Sequence, residues 1–268
     1  MAESVDLYNT TYGNLEMDAQ EQVRRETYGE DLGQSSWLTV DELRRFLNWL
    51  QIGTDSHLLE VGCGSGGPDL FAAQLTGARV TGIDINEHGI AVANKMAQDR
   101  GLENQVHFVQ LDAASQLPFD DQTFDAVMCI DAIIHVPGRA KVLAEWRRVL
   151  KTGGRALFTD STIITGLVSK EEIATRSAIG YFDFAAPGED ERLLREAGFE
   201  VERVEDVTAN AALVSGRWRS ARENHRDALV AVEGEETFNG LQRFLGTVNT
   251  VSEERRLSRF VFVARKPD

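Results

Sequence analysis

The sequence predicts an α/β fold built on a mostly parallel, doubly wound sheet with helices on both faces. Three observations support this prediction. Strand-type segments alternate with helix-type segments over residues 57–159, and such alternation is typical of parallel βαβ units. A glycine-rich turn at 62–67 joins the first of these strands to a helix. Two further strand-type segments follow, at 199–207 and 257–265.

The N-terminal part of the chain is predicted to be helical. Residues 1–35 are polar and aromatic without strong periodicity, so we expect one or two short helices there. From Thr39 to Leu50 the apolar residues recur at helical spacing, which predicts an amphipathic helix. Thr39 is the expected N-cap, and Glu42 stands three residues later, as in a capping box.

The predicted core elements then follow in close succession. Each strand is a short run rich in apolar residues, and the helices between them carry apolar residues on one face. We predict strands at 57–61, 79–85, 106–110, 124–130 and 155–159, and helices at 68–76, 87–100 and 138–150.

The chain is predicted to form one α/β domain with additions, since 268 residues bury a single sizeable core. Residues 209–252, rich in helix formers, separate the last two strands. This stretch is far longer than an ordinary connection, and such excursions tend to be lids or binding elements. We predict an N-terminal cap segment (1–37), a core (38–206), a helical insertion that forms a lid (207–255) and a last strand of the core (256–268).

Charge and composition exclude some classes of function. The formal net charge is −15, whereas binding to phosphate backbones or anionic membranes requires a basic surface. We therefore expect neither nucleic acid nor membrane as a partner. The first residues lack the basic and apolar regions of a signal peptide, and no run of apolar residues is long enough to span a bilayer.

The cysteines predict a reducing compartment. Cys63 and Cys129 both lie in predicted core elements, without the spacing of metal ligands or of a disulfide framework. We therefore expect a cytoplasmic protein without a metal site. No coiled-coil pattern is present, and we expect a monomer or a homodimer.

The glycine-rich turn predicts a nucleotide-like cofactor. Gly62, Gly64 and Gly67 fit the dinucleotide spacing G-x-G-x-x-G, while Gly62, Gly64 and Gly66 equally fit the (D/E)-x-G-x-G-x-G loop of S-adenosylmethionine (SAM) sites. Glu60 favours the second choice. A carboxylate two residues before the first glycine would repel a pyrophosphate, but it suits the ammonium group beside the sulfonium of SAM.

Acidic residues end the next two strands. Asp84 stands about 20 residues after the glycine-rich turn, where a carboxylate accepts hydrogen bonds from both ribose hydroxyls in dinucleotide folds. The alternative is that Asp84 caps the helix that starts near Glu87. Asp112 ends the third strand, and its carboxylate with the backbone N–H of Ala113 is a candidate reader of the adenine edge.

The fourth strand ends in a sequence with a candidate catalytic residue, Cys129-Ile130-Asp131-Ala132-Ile133-Ile134-His135. Ligands bind outside the carboxyl ends of such strands, so these side chains are expected to border the methyl group if the cofactor is SAM. The ordinary pKa of histidine suits proton removal at neutral pH. His135 is therefore a candidate general base, and a structural role is an equal alternative.

Together these motifs resemble the class I SAM-dependent methyltransferases. The resemblance covers about residues 40–160 and includes LLEVGCGSGGPDLFA, GIDIN, the D-A-A and LPFDDQTFDAV run, and RVLKTGGR. It implies a Rossmann-like sheet of seven strands that is mostly parallel. The last strand is antiparallel and inserted between others, and the segment Phe260–Val263 is expected to form it.

The same resemblance implies roles for individual residues. The motif positions place the methionine end of SAM at the glycine loop, the ribose at the end of the second strand and the adenine at the end of the third. The implied cofactor-binding residues are Ser36, Glu60, Gly62, Gly64, Gly66, Asp84, Ile85, Asp112, Ala113 and Ile130.

A narrower resemblance concerns phosphoethanolamine and sarcosine/glycine-type N-methyltransferases. Residues 28–37 look like the segment that closes over SAM in those enzymes, and the sequence from Asp131 to His135 is similar to their D-A-I-x-H motif, whose histidine is catalytic. They pair that histidine with a tyrosine, but the corresponding position here is Arg24. Three tyrosines of the N-terminal segment are possible substitutes: Tyr8, Tyr12 and Tyr28.

The acceptor of the methyl group stays open at this point. We expect a SAM-dependent methyltransferase that acts on N, O or C of a small molecule by in-line displacement in a closed pocket, with His135 as the candidate base. Arg176 is either a contact to an anionic acceptor or an exposed helix residue. Trp37, Phe182 and Trp218 suit an apolar or cationic acceptor or are packing residues. The alternatives are an NAD(P)-dependent oxidoreductase, from a different class of enzyme, and a non-catalytic SAM-binding module.

Overall fold

A computed structural model describes residues 7–268 of the protein. Its centre is one seven-stranded sheet with the order β3-β2-β1-β4-β5-β7-β6. The order of the strands across the sheet reverses between the parallel neighbours β1 and β4. Open α/β sheets bind ligands in the crevice at such a point. The strands are β1 (His57–Val61), β2 (Arg79–Asp84), β3 (Val106–Gln110), β4 (Phe124–Cys129), β5 (Leu150–Ile164), β6 (Glu200–Asp206) and β7 (Leu257–Arg265).

The last strand is antiparallel to both of its neighbours. The first five strands pair in parallel, whereas β7 lies between β5 and β6 and runs against them. The register with β5 includes Phe158 opposite Phe262, and their rings stack with centroids 4.9 Å apart. This confirms the predicted fold class and the inserted antiparallel strand.

Helices cover both faces of the sheet. One face packs against α3, α4 and α5 through side chains such as Phe46, Leu70 and Ala93, and the other packs against α6 and α8 through Trp146 and Leu194. The helices are α1 (Leu7–Gly13), α2 (Asp18–Tyr28), α3 (Val40–Leu50), α4 (Gly67–Thr76), α5 (Glu87–Asp99), α6 (Arg139–Val149), α7 (Lys170–Arg176), α8 (Glu189–Glu196), α9 (Thr208–Asn224), α10 (Arg226–Glu233) and α11 (Glu235–Glu253).

Two local predictions need correction. The Thr39 side chain caps α3 by accepting a hydrogen bond from the Glu42 backbone, but the Glu42 carboxylate bonds to Arg259 instead of completing a capping box. The predicted strand 155–159 is in fact β5, which begins at Leu150 and runs for 15 residues. Its early start continues the pairing with the end of the chain, since Gly153 donates a hydrogen bond to the Lys266 carbonyl.

A third hydrophobic cluster joins the N-terminal segment to the late helices. Val23 and Trp37 of the N-terminal segment pack there with Trp218 of α9 and Phe244 of α11, and the Trp37 and Trp218 rings meet edge to face. The segments predicted to close the site thus share one core. Of the helices within residues 7–268, none is long and apolar enough to cross a membrane.

Candidate active site

A cavity of about 360 Å³ lies at the carboxyl ends of β1, β2 and β4. This is the edge of the sheet where the strand order reverses, and the volume falls in the range of small-molecule sites. All of the predicted cofactor-binding residues except Gly66 line the cavity, and so does His135. Gly66 lies behind the loop, where a Cβ would come within 2.4 Å of the Phe108 ring.

The glycine loop closes tightly against the neighbouring strand. The backbone N–H groups of Gly62 and Cys63 both donate to the carbonyl of Ile83, at 2.8 and 3.1 Å. Gly62 has a φ of +79°, and a Cβ there would lie 2.3 Å from the Cβ of Ala132. Glycine is therefore required at this position both by the backbone angle and by the close approach of the β4 end.

The N-terminal segment is seated directly on this loop. The Ser65 hydroxyl donates to the carbonyl of Gly33 at 2.7 Å. A Cβ on Gly67 would lie only 1.7 Å from the carbonyl oxygen of Leu32, so the start of α4 admits this contact only because it lacks a side chain. The loop thus has two faces: one lines the cavity and the other holds the segment that covers it.

Two buried carboxyl groups meet beneath the loop. Glu60 at the end of β1 is 2 % exposed, and Asp69 in α4 is fully buried. Within the described part of the chain, neither oxygen of Asp69 has a hydrogen-bond partner, and neither does Oε2 of Glu60, but the two carboxyls lie close enough for each to shift the pKa of the other. Burial raises the pKa of Glu60 to about 8 and raises the pKa of Asp69. The pair therefore shares at least one proton at neutral pH.

Asp84 organises the turn after β2. Its carboxylate accepts hydrogen bonds from the backbone N–H groups of Gly64 at 2.9 Å and Asn86 at 2.8 Å. The N-cap of α5 is Asn86, whose side chain accepts from Gly89, so the alternative role of Asp84 as that cap is wrong. Burial raises the pKa of Asp84 despite these donors.

The end of β3 borders the outer part of the cavity. Asp112 is exposed, and its carboxylate accepts from the N–H of Ala114 at 2.9 Å. Ala113 and the 67 % exposed Ile85 line the cavity beside it. Ile130 closes the inner side, where it is buried. The side chains predicted to contact the ribose and the adenine therefore lie together along one side of the cavity.

His135 lies at the inner end of the cavity in a defined hydrogen-bonding state. Its Nδ1 is 2.9 Å from the carbonyl oxygen of Tyr181, and its Nε2 is 2.9 Å from the hydroxyl of Tyr8. Because a carbonyl only accepts, Nδ1 carries the proton. In the neutral ring Nε2 then accepts the hydrogen bond that the Tyr8 hydroxyl donates.

Burial favours the neutral forms of both partners. Desolvation lowers the pKa of His135 to about 4, the Tyr181 carbonyl opposes this shift and the charge of Arg176 adds to it. Desolvation likewise raises the pKa of Tyr8. Tyr8 and His135 therefore form a neutral, hydrogen-bonded pair at physiological pH.

The pairing of Tyr8 selects among the alternatives left open by the sequence. Tyr12 packs beside Tyr8 with ring centroids 6.1 Å apart, and Tyr28 donates its hydroxyl hydrogen to the carbonyl of Ser36. Arg24 forms a salt bridge with Asp31 inside the N-terminal segment. Among these residues only Tyr8 reaches His135.

A buried network that we did not predict holds the N-terminal segment over the cavity. Asp131, with a φ of +55°, lies beside His135 at the end of β4. Its carboxylate accepts from the backbone N–H of Trp37 at 3.0 Å and from Arg259 at 2.7 Å. Arg259 also bonds to Glu42 at 2.7 Å. The network joins β4, β7, α3 and the cap segment.

Arg176 is buried, so its alternative reading as an exposed helix residue is wrong. It is 2 % exposed and lines a second, smaller cavity adjoining the first. Tyr8, Asp131 and His135 line both cavities. The pair Tyr8–His135 therefore stands between the larger cavity and Arg176.

The fold and the site define a SAM-binding α/β methyltransferase, and comparisons with known proteins agree. Residues 59–158 match the family described as a methyltransferase domain. The chain is 30 % identical to 27-O-demethylrifamycin SV methyltransferase of Amycolatopsis mediterranei, over 90 % of this chain and 92 % of that protein. This chain belongs to the SAM-dependent methyltransferases.

Solved structures show the same fold. Phosphoethanolamine N-methyltransferase 2 of Haemonchus contortus, in complex with phosphomonomethylethanolamine and S-adenosylhomocysteine (SAH), matches with a TM-score of 0.81 and 21 % identity, over 98 % of this chain and 61 % of that one. The [4+2]-cyclase SpnF matches over 99 % of both chains with a TM-score of 0.72 and 23 % identity. The cofactor is SAM and the activity is methylation of a small molecule, as we predicted; the dinucleotide alternative is set aside.

Proposed function

We propose that this methyltransferase acts on an oxygen or nitrogen atom that loses a proton as it is methylated. The observation that carries the proposal is the neutral Tyr8–His135 pair, whose hydrogen bond of 2.9 Å borders the cofactor cavity. An alkene carbon differs, because its methylation gives a carbocation that loses its proton only after the transfer, so no proton leaves the reacting atom as the methyl group arrives.

The proposal orients SAM along the predicted motif residues. Glu60 would hold its ammonium group, Asp84 its ribose, and Asp112 with Ala113 its adenine. SAM supplies an electrophilic methyl group with a neutral leaving group. The carboxyl pair beneath the loop supports this placement, since a cation beside Glu60 satisfies the buried oxygen that has no donor among the described residues.

The Tyr8–His135 pair then moves the proton of the acceptor. The acceptor donates its O–H or N–H to the Tyr8 oxygen, while the Tyr8 hydroxyl hydrogen passes to Nε2 of His135. The bond between the acceptor and the methyl carbon forms as the carbon–sulfur bond breaks. His135 ends as an imidazolium whose Nδ1–H stays bonded to the Tyr181 carbonyl.

The N-terminal segment and the helical insertion serve as the lid in this proposal. They share the cluster that contains Trp37 and Trp218, and the segment is tied to the core through Asp131. Exclusion of water favours displacement at the methyl group. The net charge of −15 continues to disfavour nucleic acid as the acceptor, and the two buried free thiols support the expected reducing, cytoplasmic setting.

The pH dependence of turnover tests the role of His135. At saturating SAM, kcat/KM for the acceptor reports groups of the SAM-bound enzyme, in which Glu60 is already ionised, so its acid limb is expected near pH 4, where the pKa of His135 lies. The measurement is the rate of SAH formation between about pH 3 and 8, on both sides of the expected limb, with folding checked at each pH. A limb at the ordinary histidine value of about 6.5, or the same limb in His135→Ala, would contradict the assignment.

A further inference from the structure

Four arginines in the described chain are buried, and one of them differs from the others in its partners. Three form ion pairs with buried carboxylates: Arg139 with Asp160 and Asp190, Arg222 with Glu233, and Arg259 with Asp131 and Glu42. Arg176 has no carboxylate within salt-bridge distance anywhere in residues 7–268. The fold otherwise compensates the charge of every buried guanidinium, as the cost of burying an isolated charge requires.

The surroundings of Arg176 are aromatic rather than acidic. Its guanidinium carbon lies 4.5 Å from the ring centroid of Phe182, 5.2 Å from that of Phe244 and 5.9 Å from that of Trp37. Within residues 7–268 the group makes one hydrogen bond, from Nη2 to the Ser161 hydroxyl at 3.1 Å. A guanidinium has five N–H donors, so four of them have no acceptor among the described residues.

The nearest acidic side chains are already engaged elsewhere. Asp131 and Asp160 are the carboxylates whose charges act on Arg176. The first is bonded to Arg259 and the second to Arg139, at 2.7 and 2.5 Å. Desolvation lowers the pKa of Arg176 to about 10, which still leaves it charged at neutral pH. Among residues 7–268, Arg176 is therefore a cation without a compensating carboxylate, and it lies behind the Tyr8–His135 pair.

We propose that Arg176 binds an oxyanion of the methyl acceptor, a carboxylate or an ionised phenol or enol carried on an apolar or aromatic body. An acceptor that lies in the larger cavity with its reacting atom at Tyr8 reaches Arg176 through the second cavity, whose volume of about 20 Å³ has room for the charged group but not for the body of the acceptor. Trp37 and Phe244 line this second cavity, so the charged group would be held beside aromatic rings. A doubly charged phosphate is disfavoured, because the lining of this cavity offers no second cationic side chain. This inference rests on the proposed function for the position of the reacting atom.

An anion at this position also acts on the base. The charge of Arg176 lowers the pKa of His135, and that of Asp131 opposes it. An oxyanion paired with Arg176 cancels part of the first effect and strengthens His135 as a base. For such an acceptor, the acid limb of kcat, which reports the bound complex, is expected at higher pH than that of kcat/KM.

The stability of two matched variants tests whether Arg176 is kept for a ligand. Arg222 is the control, since it is 3 % exposed and lies 5.1 Å from the Phe238 ring but is paired with Glu233. Arg222→Met leaves a buried carboxylate unpaired and is expected to lower the Tm by about 6–15 °C. Arg176→Met removes an uncompensated charge and is expected to leave the Tm of the acceptor-free protein unchanged or raised. A fall like that of Arg222→Met would show a structural role and overturn the proposal.

Binding of small probes tests the ligand class without turnover. Thermal unfolding of the SAH-loaded protein is followed with benzoate, benzamide and inorganic phosphate at equal ionic strength. Benzoate is expected to raise the Tm of the native protein by about 2 °C or more, benzamide and phosphate by less, and none of the three to raise that of Arg176→Met. The proposal would be overturned if benzoate left the Tm unchanged, if benzamide raised it as much as benzoate, or if phosphate raised it more. A failure of the proposed function would be seen instead as native turnover in His135→Ala. It is therefore distinguishable from a failure of the Arg176 proposal, which is seen in the Tm shifts.

Discussion

Replacing His135 with alanine is expected to lower kcat by about 10²–10⁴-fold, the usual contribution of a positioned acid or base. The physical reason is that Nε2 is the final acceptor of the proton, and in the described structure no other titratable group hydrogen-bonds to the Tyr8 hydroxyl. The affinity for SAH is expected to stay within a few-fold, because the imidazole is engaged with Tyr8 and Tyr181 rather than with the motif residues assigned to the cofactor. Single-turnover rates and calorimetric titration with SAH separate the two effects.

Two companion variants sharpen this test. Tyr8→Phe keeps the ring that packs against His135 but removes the hydroxyl, so its loss of kcat is expected to approach that of His135→Ala. The exposed His107 of β3 provides the control, and His107→Ala is expected to retain native rates. Turnover of His135→Ala at the native rate would show that the acceptor loses its proton without help, or that the methylated atom is carbon.

Replacing Glu60 with glutamine is expected to weaken SAM binding by about 10- to 150-fold, the equivalent of a lost hydrogen bond to a charged group of about 1.5–3 kcal/mol. The carboxyl of Glu60 is buried with one oxygen that has no donor in residues 7–268. The ammonium group of SAM supplies that donor and a positive charge. Glutamine offers only a neutral acceptor in the same place. Calorimetric titration with SAM measures the difference.

The same titration also measures the release of a proton when SAM binds. Burial raises the pKa of Glu60 to about 8, above its ordinary value of about 4.3, so the acceptor- and SAM-free protein holds this proton at neutral pH. Its contribution to stability is full below the unfolded pKa and is lost as the pH rises toward 8. A bound ammonium favours the carboxylate, and SAM binding is expected to release a proton between about pH 5 and 8, detected as a dependence of the binding enthalpy on the buffer.

The variant Asp69→Asn separates the two carboxyls. Asparagine copies the shape and the neutral charge of a protonated aspartic acid, so Asp69→Asn is expected to bind SAM nearly as the native protein does. Native affinity and native proton release in Glu60→Gln would place the ammonium group elsewhere in the cavity.

The sheet and the cofactor half of the site could be predicted because their signals are local. The strand, glycine turn and helix around Gly62 occupy one continuous stretch, and the required backbone angles leave glycine there. Asp84 and Asp112 end consecutive strands, so their chain positions alone place them on the same edge of the sheet. Such predictions use only short-range periodicity and turn chemistry.

The acceptor half could not be predicted because its contacts join distant parts of the chain. Tyr8 and His135 are 127 residues apart, and Arg259 is 128 residues from Asp131. Nothing in the polar and aromatic N-terminal segment distinguishes Tyr8 from Tyr12 until α1 is placed over the loop. The burial of Arg176 depends likewise on the packing of α7 against α11, for which the local sequence carries no periodic signal.

The most direct test of the account is a crystal structure of the protein with SAH. We expect the homocysteine amino group beside Glu60, the adenine beside Asp112, and the sulfur atom with its vacated methyl side open to the hydroxyl of Tyr8. A sulfur atom that faces away from Tyr8 and His135, with other side chains around the methyl position, would contradict the central claim that this pair takes the proton of the acceptor.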